Sequence, residues 1–80
     1  MANHNAKPDI VIFQEVYQSG RLPINNKGIK NILEQKEIYL SIEEIGENVQ
    51  RLVDRGSFFR TGDGVTIPKQ ILDMLYKKEK

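Results

Sequence analysis

Eighty residues hold one hydrophobic core and leave no room for a second. Without cysteine, neither a disulfide nor a thiolate metal site can brace the chain, and a net charge of +1 excludes an overall field that would draw in a polyanion by charge alone. No apolar run approaches the ~20 residues that span a bilayer and no charged-then-apolar leader opens the chain, so the expectation is a cytoplasmic protein without membrane contact.

In chain order, residues 1–7 (MANHNAK) are small and polar and read as a flexible tail, with one domain over 8–80. Pro8 and Asp9 suit the first turn of a helix, where a missing N–H and a negative charge are both accepted. Ile10, Phe13 and Tyr17, with Ile12 and Val16 beside them, give that helix a broad apolar stripe, and Gly20 closes it. The β-branched run Ile10 to Ile12 could equally begin a strand, but the pattern carries on to Tyr17 and favours helix. Arg21 to Ile24 alternates, and Pro23 restricts it to a short edge strand. Asn25 or Asn26 can cap a second helix with Ile29, Ile32 and Leu33 on its inner side. Lys36 to Leu40 breaks the period, with Ile38 and Leu40 expected to plug the core under the turn.

The next stretch, Leu40 to Pro68, organises the rest. Ser41 with Glu44 three residues later has the spacing of a capping box. Ile42, Ile45, Val49, Leu52 and Val53 then line one helical face, and Gly56 can end the helix in the left-handed conformation. Gly46, at the edge of that stripe, is expected to admit close approach of the second helix. SFFRT and VTIP flank Gly62-Asp63-Gly64, a loop suited to a hairpin. Phe58 and Phe59 must point to opposite faces of their strand, so one enters the core and the last helix is expected to cover the other. Thr66 or Ile67 can start that last helix, with Pro68 near its first position. Its stripe of Ile67, Ile71, Met74 and Leu75, with Leu72 and Tyr76 beside it, is wider than one core contact needs.

Catalysis is not expected. The single histidine is His4, in the tail, so no Ser-His pair can form, and neither metal ligands nor a cofactor-binding motif occur at useful spacing. Gly62-Asp63-Gly64 is too short for a calcium loop or phosphate cradle.

The order helix, short strand, helix, turn, helix, hairpin, helix resembles a winged helix-turn-helix domain, an α+β fold with the hairpin as wing. The residues that carry the resemblance are Leu40-Ser41-Ile42-Glu43-Glu44-Ile45, Leu52-Val53-Asp54-Arg55-Gly56-Ser57-Phe58-Phe59 and Asp63-Gly64-Val65-Thr66-Ile67, and it covers about residues 9 to 68. The size and the Lys/Ile/Asn/Glu-rich style are similar to small regulators of low-GC Gram-positive bacteria and their prophages. The resemblance implies a transcription regulator on double-stranded DNA, the third helix in the major groove and the wing on the flanking backbone. A C-terminal helix over about residues 67–79 would then pair two copies through Ile71, Leu72, Leu75 and Tyr76 into a homodimer.

On that reading the DNA-contacting residues are Asn48, Gln50, Arg51 and Arg55 on the third helix, Lys27 and Lys30 on the second, and Arg60 in the wing, with Lys69 at its base. The third helix also sets a competing expectation, because residues 41–55 carry four acids against two bases. Glu43, Glu47 and Asp54 face away from the apolar stripe, with Glu47 placed to pair with Arg51 four residues on. Such a face suits a basic protein partner, in an inhibitor or adaptor that leaves DNA alone.

Overall fold

The computed structural model describes residues 7–79, with side-chain surroundings given as far as Leu75. Among them the fold is α+β, in the order α1 (Pro8–Ser19), α2 (Asn26–Gln35), α3 (Ile42–Arg55), β1 (Phe59–Thr61), β2 (Gly64–Thr66) and α4 (Lys69–Glu79). The Cα radius of gyration is 12.2 Å. Among the described residues no helix is long and apolar enough to cross a membrane.

Each of the first three helices begins and ends where its local chemistry dictates. α1 opens on Pro8 with Asp9 in its first turn, and Gly20, at φ 68°, turns its N–H back to the Val16 carbonyl. At the start of α2 the Asn25 side chain accepts from the Gly28 N–H at 2.8 Å, taking up a donor with no partner inside the helix. In α3 the capping box is complete, with Glu44 N–H donating to Ser41 Oγ and Ser41 N–H to Glu44 Oε1, each at 3.0 Å. Both α2 and α3 end in a left-handed residue that closes a pair of reversed backbone bonds. Gly56, at φ 87°, does this for α3, with Gly56 N–H on Val53 O and Ser57 N–H on Leu52 O. Glu37, at φ 61°, does it for α2, with its own N–H on Glu34 O and Ile38 N–H on Leu33 O. A side chain stands there where glycine is usual.

The apolar stripes meet as the periodicity requires. Ile12 and Val16 of α1, Ile29, Ile32 and Leu33 of α2, and Ile45, Val49 and Leu52 of α3 are buried together, and the three helices pack pairwise around them. Full burial of each such side chain stabilises by about 1.5–3 kcal/mol before ordering costs are subtracted. Phe58, Val65 and Ile67 close the core from the hairpin side, and the Phe58 ring lies 5.8 Å from that of Phe13. Ile38 and Leu40 pack against the cluster under the α2–α3 turn.

β1 and β2 pair antiparallel in the register Phe59↔Thr66, Arg60↔Val65 and Thr61↔Gly64. The expected edge strand over 21–24 shrinks to one residue. Ile24 alone bridges Val65, with N–H to carbonyl bonds of 2.9 and 2.8 Å in the two directions. Its approach is close enough that a Cβ on Gly64 would lie 2.4 Å from the Ile24 carbonyl oxygen.

Four further expectations are corrected. Phe59 is not covered by α4 but is 62% exposed, because the helix carries its apolar side to the core through Ile71 and Leu72. α4 starts at Lys69, after Pro68 has accepted the Ile71 and Leu72 N–H groups, so Ile67 serves as a core residue ahead of the helix. Gly46 meets no backbone of α2, since a Cβ there would touch only the Asn26 amide nitrogen at 3.5 Å. Glu47 and Arg51 make no ion pair; among the described residues such pairs join Lys30 to Glu34, Lys36 to Glu15 and Arg55 to Asp9.

Candidate nucleic-acid interface

One face of the molecule gathers the outer side of α3, the first turn of α2 and the hairpin. Between them lies an open groove of about 420 Å³ whose walls include Asn26, Lys27, Ile42, Arg60 and Asp63. Lys27 is placed there by the Asn25 cap, which fixes the first turn of α2. Arg60 arrives from β1, opposite the buried Val65, so its side chain leaves the strand on the side that faces the helices. Ile42, the first residue of α3, is 40% exposed at the groove, although the periodicity assigns it to the inner stripe.

Of the residues nominated for DNA contact, Lys69 stands exposed at the start of α4 and the other seven divide into three groups. Lys27 and Arg51 are exposed and, among the described residues, carry no ion pair or side-chain hydrogen bond. Gln50 and Arg60 are exposed but joined, since Arg60 Nη2 donates to Gln50 Oε1, while Gln50 Nε2 donates to Asp54 Oδ1 at 2.9 Å. The other three are engaged elsewhere. Lys30 is held by Glu34 one turn along α2. Arg55 donates to Asp9 Oδ2 at 2.7 Å across the start of α1. Asn48 is a correction: it is only 7% exposed and its Nδ2 donates to the Glu44 carbonyl at 2.8 Å, because it sits on the buried flank of α3.

Asp9 itself is buried, and the guanidinium of Arg55 holds its carboxyl below the ordinary range, aided by the Ile10 N–H and opposed by burial. This pair spans 46 residues, and no local spacing announces it. The chain Arg60–Gln50–Asp54 could have been half read, since Gln50 and Asp54 stand four residues apart on one helix.

The acids of α3 have separate fates. Glu44 is spent in the capping box and Asp54 holds Gln50. Glu43 and Glu47 stay exposed and, among the described residues, without an ion pair. On α4, Ile71 and Leu72 pack against the core, Leu75 is half-buried and Met74 is 66% exposed; the Tyr76 side chain lies outside the described residues. Compared with protein-family models, with curated proteins and with solved structures, the chain matches none.

Proposed function

We propose that this is a small winged-helix protein that binds duplex DNA as a transcriptional regulator of bacterial or prophage type. α3 enters the major groove, the β1–β2 hairpin is the wing, and the first turn of α2 meets the backbone beside it. The observation that carries the reading is the bond from Arg60 of the hairpin to Gln50 of α3, which ties wing and helix into one face where Lys27 and Arg51 are also free. Lys27, Arg51 and Arg60 are then the phosphate- and base-contacting cations. Lys30 and Arg55 act through the fold rather than on DNA, given their partners Glu34 and Asp9. Two copies pair through α4, whose exposed Met74 and half-buried Leu75 offer apolar surface. Replacing Arg51 and Arg60 together with Ala is expected to abolish duplex binding while leaving the three-helix core folded; retained binding would overturn the assignment.

A second reading has its own support in Glu43 and Glu47, which stand exposed and unpaired on the same face. There the winged helix holds a basic protein partner and no DNA. Under it, Glu43→Lys with Glu47→Lys destroys capture of the partner, and Arg51→Ala with Arg60→Ala leaves it unchanged.

A further inference from the structure

We propose that Gln50 and Asp54 are positioning residues, which hold the wing against α3 by orienting Arg60, and that Arg60 is the cation this pair offers to DNA. Only the last clause rests on the DNA-binding reading. The tie between hairpin and helix stands on geometry alone.

The chemistry of the three groups fixes their polarity. An ionised carboxylate accepts only and a guanidinium donates only. The Gln50 amide lies between the two, so it must turn its NH₂ to Asp54 and its oxygen to Arg60, as the bonds Gln50 Nε2 to Asp54 Oδ1 and Arg60 Nη2 to Gln50 Oε1 require. The opposite flip would set oxygen against carboxylate and NH₂ against guanidinium. Asp54 thus decides which end of Gln50 the wing meets, although it never touches the wing.

Two consequences follow for the exposed face. Gln50 makes one bond at each end of its amide, which fixes its orientation and leaves one N–H and one lone pair of the oxygen. Arg60 spends one donor on Gln50 and keeps the others of its planar fork. Strands of three residues are marginal by themselves, and the tie adds to the buried Val65 and its bridge to Ile24 in holding the hairpin. Asp54 therefore has a sign opposite to that of an ordinary acid on a DNA-facing helix. Its negative charge repels phosphate, yet its removal loosens the cation beside it.

Amide hydrogen exchange over residues 59–66, measured by NMR without DNA, tests the tie. Asp54→Ala and Gln50→Ala are expected to lower hairpin protection about two-fold, the factor that corresponds to an exposed i,i+4 contact. Asp54→Asn keeps an acceptor for Gln50 Nε2 and is expected to restore protection. Protection in Asp54→Ala equal to that of the unaltered protein would overturn the proposal. Random duplex DNA supplies the second readout, with Glu43→Ala as the control that removes the same charge from the same helix. Asp54→Ala is expected to bind about two-fold more weakly than that control, if the loss of order at Arg60 is felt in full. Equal or tighter binding would overturn the positioning role. If the unaltered protein binds no duplex, the DNA reading fails, and the exchange measurement still decides whether Asp54 holds the wing.

Discussion

Removing the two halves of the Asp9–Arg55 pair should have unequal costs. Asp9 Oδ2 accepts from Arg55 at 2.7 Å, and the Asp9 side chain is 6% exposed against 54% for Arg55. In Asp9→Ala the guanidinium is left half in water, where it rehydrates, and the loss is one charge-assisted bond plus the first-turn dipole contact, about 1–2 kcal/mol. In Arg55→Ala a buried carboxylate keeps, among the described residues, the Ile10 N–H as its one hydrogen-bond donor and the more distant charge of Lys7. Stranding a fully buried charge costs about 3–5 kcal/mol, and the open side of this pair reduces that to about 2–3 kcal/mol. For a domain of this size the difference of about 1 kcal/mol corresponds to about 4–8 °C in Tm. Urea unfolding followed by circular dichroism at pH 7 measures both variants. The pH dependence has a definite sign. Arg55 holds the folded-state pKa of Asp9 below the ordinary carboxylate value of 3.8, so its contribution is present above that value and is lost as pH falls through the folded pKa. Asp9→Asn should therefore show a shallower loss of stability below pH 3.8 than the unaltered protein. An Arg55→Ala variant no less stable than Asp9→Ala would refute the reasoning, because it would mean that the carboxylate is not paying for burial.

Other positions give predictions of either sign. Glu37→Gly should stabilise by about 1 kcal/mol, since glycine takes the left-handed conformation at φ 61° without a Cβ penalty; thermal unfolding checks it. Gly46→Ala, inside α3 with its nearest neighbour at 3.5 Å, should add about 0.5–1 kcal/mol by the same measurement. Gly64→Ala should instead destabilise by about 2 kcal/mol or more, since its Cβ would meet backbone 2.4 Å away, and loss of the Val65 amide protection would report the broken bridge to Ile24. Ile45→Ala, at a fully buried site where α3 joins the core, should cost about 2–5 kcal/mol in urea unfolding.

Much of the fold was legible because its signals are local. The Ser41–Glu44 box, the Asn25 cap, Gly20 and Gly56, and the three-residue stripe of α2 each specify an element within a few positions, and all fall where the residues indicate. What was illegible depends on partners distant in sequence. Nothing near Arg21–Ile24 states that only Ile24 finds a ladder partner, since that is settled by Val65. Phe58 and Phe59 alternate in any strand, but which one goes inward depends on Phe13. The interface suffered most. Arg55 reads as a free cation until Asp9 is brought beside it, and Asn48 reads as a polar surface group until α3 is turned onto the core. Glu37 hides its role for a different reason, because residue type normally signals a left-handed turn through glycine and here does not.

The most direct test of the account is affinity for random duplex DNA at 50 and at 200 mM salt. If Lys27, Arg51 and Arg60 each neutralise one phosphate, the slope of about −0.9 per contact predicts a loss of about 40-fold per copy across that range, and more for a dimer. No binding at the lower salt, or an affinity indifferent to salt, would contradict the DNA-binding reading and leave Glu43 and Glu47 as the groups to which a partner must be matched.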